Sequence, residues 1–204
     1  MFKTISKDVM AEIVEKKSKF IANIFYVESV EDAEDKIKQV KKKYYDAKHN
    51  CFAFSIFTKE GIVNRFSDDG EPSGTAGSPM LNILTSNGVT NVLVIVTRYF
   101  GGILLGTGGL VRAYTGVTQE ALSRIEIIKK ELWLEIKCEI SYSDFEKFKY
   151  YMKQNEIKII NSEYYENIVA ILEITTEKLK QLEVNEQELN FNIIKKEIIK
   201  EKYI

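Results

Sequence analysis

The stretch NRFSDDGEPSGTAGSPMLNILTSNGVTNVLVIVTRYFGGILLGTGGLVRAYTG, residues 64–116, decides the architecture of this chain. It reads as loop, short helix, apolar strand, glycine-rich loop and helix. Pro72, with Gly70, Gly74 and Gly77, breaks regular structure through the first loop. Ser78 before Pro79 predicts a helix start, because a proline at the first helical position gives up an N–H that would have no partner there. That helix ends near Gly88. Residues 91–97, NVLVIVT, are apolar without alternation and predict a strand covered on both faces. The second loop, residues 101–109, has five glycines in nine residues. A helix is expected from Leu110, with Leu110, Ala113, Tyr114, Val117, Ala121 and Leu122 as its apolar stripe.

Upstream, residues 2–5, 9–14 and 19–27 read as strands. Ser29 is a helix cap with Asp32 at the capping-box position. Val30, Ala33, Ile37, Val40 and Tyr44 then give the helix one apolar face, while Lys36, Lys38, Lys42 and Lys43 give it a solvated one. Residues 51–57 read as a buried strand paired with 62–66 across a turn at 59–61. Downstream, the pattern breaks at 125–130, which divides the chain into 1–128 and 129–204. In the second part Leu132, Leu134, Ile136, Cys138 and Ile140 alternate as a half-buried strand should. Ser143 with Glu146 reads as a capping box, and Phe145, Phe148 and Met152 line one helix face. Strands at 158–162 and 168–174, a helix at 176–187 and a last strand within 191–199 complete a βαββαβ order, a ferredoxin-like unit. The fold class is therefore α+β in two domains.

The 204 residues carry a formal net charge of −1, so no global basic field advertises a polyanionic partner. Cys51 and Cys138 lie too far apart in sequence to form a metal-type pair and suit a reduced setting. No stretch approaches roughly 18 apolar residues, and the N-terminus lacks an apolar signal core. A cytoplasmic protein without membrane association is expected; nothing fixes its oligomeric state.

Chemistry concentrates in the two loops. Asp68, Asp69 and Glu71 admit three readings: ligands for a hard cation, an acid/base pair for hydrolysis, or carboxylates that brace the loop against Arg65, Arg98 or Arg112. Bracing is the default, because the sequence nominates neither a base nor a nucleophile. Ser73 and Thr75 lie in no nucleophile-elbow sequence. No metal or cofactor is expected. Gly101, Gly102, Gly106, Thr107, Gly108 and Gly109 sit where a strand, a glycine loop and a helix meet, a layout that suits an anion on backbone N–H groups. Neither the nucleotide-hydrolase loop nor the dinucleotide fingerprint is matched, and tight turns with close packing are the competing explanation. His49 and Asn50, in DAKHN, read as structural or site-flanking residues beside the sheet, since no second histidine exists to share a metal.

FSDDGEPSGTAGSPML, VTRYFGG, LGTGGLVRAY and the upstream DAKHNCFAF closely resemble the YigZ/IMPACT family. The resemblance covers roughly residues 1–125, and the part beyond 130 looks like the small C-terminal domain of the bacterial members. It implies an N-terminal fold similar to the second domain of a small-subunit ribosomal protein and to domain four of elongation factor G. It also implies a ferredoxin-like C-terminal domain. Eukaryotic relatives regulate translation by binding the activator of a kinase that senses amino-acid starvation, and bacterial members have been proposed to bind nucleic acid or the ribosome. The first expectation is thus a translation-associated protein that binds RNA, the ribosome or a ribosome-associated partner without catalysis, through an exposed surface that includes Arg65, Arg98, Arg112 and the glycine loop. The alternative is a hydrolase or phosphate-ligand-binding protein using Asp68, Asp69 and the glycine-rich loops.

Overall fold

The computed structural model describes residues 1–58, 60–184 and 189–204. They form two compact units, Phe2–Lys129 and Lys130–Ile204, the latter with Met1. Each is α+β.

In the first unit, five antiparallel strands make one sheet. They are β2 (Val9–Glu15), β3 (Ser18–Tyr26), β4 (His49–Thr58), β5 (Gly61–Ser67) and β6 (Val92–Tyr99), in the spatial order β2-β3-β6-β4-β5. The apolar run becomes β6, the central strand, with Val92 to Arg98 all buried. Its side chains alternate between two cores. Val92, Val94 and Val96 face α2 (Gly77–Ser86) and α3 (Gly106–Ser123), whereas Leu93 and Ile95 face α1 (Val30–Lys43). Helices on both faces explain why the run shows no polar alternation. β1 (Phe2–Ile5) pairs with β7 (Ile127–Lys130) in a separate two-stranded ladder.

The helix starts follow local chemistry unevenly. Ser29 Oγ accepts the Asp32 N–H at 3.2 Å, as the capping pattern predicts, and the Asp32 carboxylate returns to the amide of Glu28 at 3.1 Å. α2 begins earlier than its sequence signal: Ser78 lies inside the helix and caps nothing, and the side chain of Ala76 at the boundary offers no acceptor. Pro79 then occupies the third helical position, still among the residues whose N–H groups lack intrahelical partners. α3 also begins early, at Gly106 rather than Leu110, so the glycines form its first turn; its predicted apolar stripe is buried throughout.

The second unit is a four-stranded antiparallel sheet of β8 (Leu132–Ile140), β9 (Lys158–Tyr164), β10 (Ile168–Thr175) and β11 (Ile193–Tyr203) in the order β11-β8-β10-β9. With α4 (Tyr142–Gln154) and α5 (Thr176–Val184) this is the ferredoxin-like topology. Leu134, Ile136, Cys138 and Ile140 point into its core with Phe145, Phe148 and Met152. The α4 cap is Ser141, whose Oγ accepts the Asp144 N–H at 3.2 Å; Ser143 is already helical, and Glu146 pairs with Lys149 instead. Residues 185–187, expected to end α5, lie outside the described residues. β11 runs to Tyr203, past the expected 199, and two register shifts against β8 break its alternation. Among the described residues no helix is long and apolar enough to cross a membrane.

Candidate functional site

β4 begins at His49, so His49 and Asn50 are strand residues, paired in register with Arg98 and Thr97 of β6. The 67–78 loop passes over this end of the sheet, and its three carboxylates diverge to different donors. Asp68 Oδ1 accepts the amides of Ala76 and Gly77 at 3.0 and 2.8 Å, and Oδ2 accepts that of Gly74 at 2.8 Å. Asp68 is thus the cap of α2, supplied from eight residues before the helix boundary, which is why Ser78 is not needed there. Asp69 Oδ2 accepts the Asn50 amide at 2.7 Å, and Oδ1 accepts Lys41 Nζ of α1 at 2.7 Å. The Asp69 carbonyl lies 2.9 Å from His49 Nδ1, which donates to it as the N–H tautomer. Holding these contacts puts Asp69 at φ 41° and Gly70 at φ 84°; Gly70 takes this left-handed conformation without a Cβ penalty.

Glu71 is the buried member. Its side chain is 2 % exposed, and Oε1 accepts Arg98 Nη1 at 2.7 Å and Tyr114 OH at 2.9 Å. Cys51 Sγ stands 2.9 Å from the Asp68 carbonyl and 3.3 Å from Tyr114 OH. Thr97 donates to Asn50 Oδ1 at 2.7 Å. The Arg98 guanidinium lies between the rings of Phe20 and Phe100, with centroids at 5.5 and 5.7 Å. Arg98 is therefore not the exposed anion contact expected from sequence; it is 6 % exposed and spent on Glu71. With its guanidinium packed against two aromatic rings, the buried cation needs a carboxylate partner, and Glu71 supplies it.

Burial pushes the Cys51 thiol up to about 12 and also raises the Tyr114 hydroxyl, with the neighbouring Cys51 and Glu71 acting in the same direction. In the second unit burial alone pushes Cys138 up to about 12. The unfolded thiols ionise near 9 while the folded ones stay protonated, so the folded state binds more protons there. The sign follows: stability is expected to fall as pH rises above 9. Urea midpoints at about pH 7 and about pH 10.5 check this, and a midpoint unchanged or higher at alkaline pH contradicts it.

The remaining predicted residues separate. Arg65 is exposed on β5 and pairs with Glu34 of α1 at 3.2 Å, away from the loops' shared cleft. Arg112 is exposed on α3, and no ion pair holds it among the described residues. Gly101 serves packing: a Cβ there would sit 2.0 Å from the Lys17 carbonyl carbon and oxygen. Gly101→Ala is expected to cost about 1–3 kcal/mol by chemical denaturation, because backbone cannot yield as a side chain can. Gly102, at φ 86°, is an open turn glycine, and Gly106, Thr107 and Gly108 are exposed at the α3 N-terminus while Gly109 packs on Leu105.

Between the two loops lies a cleft of about 360 Å³. His49, Gly70, Glu71, Pro72 and Arg98 line it with Lys48, Leu104, Leu105, Gly106, Thr107 and Leu110. Among the described residues no side chain caps the amides of residues 106–108, and the first turn of α3 has no acidic residue. Buried Arg98 Nε has no hydrogen-bond partner among the described residues; leaving such a donor unsatisfied costs about 1–3 kcal/mol. No group of three or more metal-ligating side chains occurs among the described residues. Sequence reading missed Lys48 and the polar role of Tyr114. A tyrosine within an aliphatic stripe was the available signal, since its buried hydroxyl needs a partner.

Comparison with known proteins places this geometry. Residues 16–122 match the Impact N-terminal domain, and residues 138–183 match a domain of unknown function, DUF1949. The chain is 37 % identical over 157 residues to the IMPACT family member YvyE of Bacillus subtilis strain 168, covering 77 % of this chain and 72 % of that protein. It is 40 % identical over 150 residues to the IMPACT family member YigZ of Escherichia coli strain K12, covering 73 % and 74 %. A crystal structure of a hypothetical protein, 32 % identical, superposes with a TM-score of 0.65 over 94 % of this chain and 95 % of that one. With the loop signatures, the two-domain α+β fold and these relatives in agreement, the chain belongs to the IMPACT family.

Proposed function

We propose that this protein is a translation-associated regulator that binds RNA phosphates on the ribosome through the rim formed by the start of α3, and that it acts without catalysis. The translational setting is what the resemblance to the IMPACT family implies, through eukaryotic relatives that regulate translation. The observation that carries the surface is the contrast between two helix starts on one side of the sheet. Asp68 closes the N-terminus of α2, whereas among the described residues α3 presents uncapped amides at Gly106, Thr107 and Gly108, with no acidic residue in its first turn. Uncapped N–H groups and the helix dipole favour a negative charge there. Arg112 stands one turn further along, exposed and without an ion pair among the described residues. The hydrolase alternative needs a free carboxylate, whereas Asp68 is taken up by backbone amides and Asp69 by the Asn50 amide and Lys41, which favours binding over turnover.

Co-sedimentation of the full chain with ribosomes across a salt series tests this reading. Binding is expected to weaken as salt rises, and Arg112→Ala is expected to weaken it further and to lower the slope of log K against log salt by about one. Binding indifferent to salt and to Arg112→Ala contradicts the proposed surface.

A further inference from the structure

We infer that the cleft between the 67–78 loop and the start of α3 is a phosphomonoester site, with the phosphate seated on the α3 N-terminus. This rests on the reading of that rim as a binding surface and narrows it to one chemistry. Two independent observations meet there. The first is the uncapped, acid-free first turn of an 18-residue helix. The second is Arg98, which lines the cleft, is 6 % exposed, and keeps a buried Nε–H without a partner although its Nη1 is spent on Glu71. Buried charged donors are normally satisfied, so this one calls for an acceptor oxygen that the described residues do not supply.

The lining sets the class of ligand. Its charged side chains are Lys48, Arg98 and Glu71. Glu71 is engaged by Arg98 and Tyr114, and Lys48 is exposed with no ion pair among the described residues. The wall therefore favours an anion. A terminal phosphate at pH 7 carries about −1.5 to −2 charges and three acceptor oxygens, which suits convergent amides, a guanidinium N–H and an ammonium. Pro72, Leu104, Leu105 and Leu110 form an apolar side against which the ester's organic part can lie. A concave cleft of about 360 Å³ takes in the end of a molecule, whereas a continuous diester backbone stays on the rim outside it, so within the cleft a phosphate terminus fits better than an internal one. A free nucleotide and the 5′ end of an RNA share this chemistry.

Titration of the isotope-labelled full chain, followed by amide NMR, tests the site. The probes are adenosine 5′-monophosphate, adenosine, and an RNA hexamer with and without a 5′-phosphate. Saturating shifts at the amides of residues 106–109 are expected with adenosine 5′-monophosphate or the phosphorylated hexamer, and not with adenosine or the 5′-hydroxyl hexamer. Whichever phosphorylated probe binds tighter identifies the source. Thr107→Glu places a carboxylate on the same amides and is expected to weaken binding at least about tenfold without lowering Tm, since an acid at a helix N-terminus is favourable. Lys48→Ala, at an exposed position, is expected to weaken binding with the fold intact. Absent or non-saturating shifts, shifts that persist in Thr107→Glu, or equal shifts with adenosine overturn the site. Ribosome co-sedimentation by the same preparations separates the two proposals: if it persists while the phosphate probes fail, only the cleft assignment falls.

Discussion

Arg98→Ala is expected to destabilise the first unit by about 3–5 kcal/mol, the range for removing one partner of a buried ion pair. The substitution leaves the Glu71 carboxylate, whose side chain is 2 % exposed, with Tyr114 OH as its remaining close donor. It also empties the space between Phe20 and Phe100. Urea unfolding of the full chain measures the loss. Replacing both partners is the discriminating control: Arg98→Met with Glu71→Leu removes the stranded charge and is expected to recover much of the stability. If the single and double variants lose the same amount, the pair is not what holds this end of the sheet. A loss below about 1 kcal/mol for Arg98→Ala alone would mean that solvent reaches Glu71 readily, contrary to its burial.

Asp68→Ala is expected to cost about 2–4 kcal/mol, because one side chain serves three amides. Those of Ala76 and Gly77 start α2, and that of Gly74 fixes the loop before it. Asp68→Asn keeps one acceptor oxygen and is expected to lose about half as much, since charge assistance roughly doubles such bonds. Hydrogen exchange locates the effect: protection is expected to fall first at α2, whose Met80 and Leu84 pack on the sheet. Unchanged protection in α2 with global loss elsewhere contradicts the capping role.

Both expectations concern residues that the sequence had marked without assigning. Asp68, Asp69 and Glu71 stand out in a glycine-rich loop, where sequence favours bracing by arginine for all three. Only Glu71 takes an arginine. Asp68 bonds backbone amides alone and Asp69 bonds one beside Lys41, and amides carry no sequence signature because every non-proline residue has one. Of the three candidate arginines, Arg98 pairs 27 residues away with Glu71, Arg65 pairs with Glu34 on α1, and Arg112 stays exposed. Nothing in their local sequences ranks them, since the choice depends on which strand crosses which loop. The Ser78 and Ser143 caps fail for the same reason. A side chain nearer in space displaced the first, and Ser141 began α4 two residues sooner.

Elements whose pattern is local are legible from residue order alone. The stripe of α3, the capped start of α1, the two-faced apolar run of β6 and the βαββαβ order of the second part all follow from periodicity and caps over a few residues. Tertiary structure decided the chemistry of the loops. It placed His49 and Arg98 side by side on β4 and β6, buried one expected surface cation, capped α2 from a distance and left α3 uncapped. The physical reason is that burial and long-range pairing are properties of the assembled sheet: the same aspartate or arginine is a ligand, a brace or a free charge according to what the fold brings within about 3 Å of it.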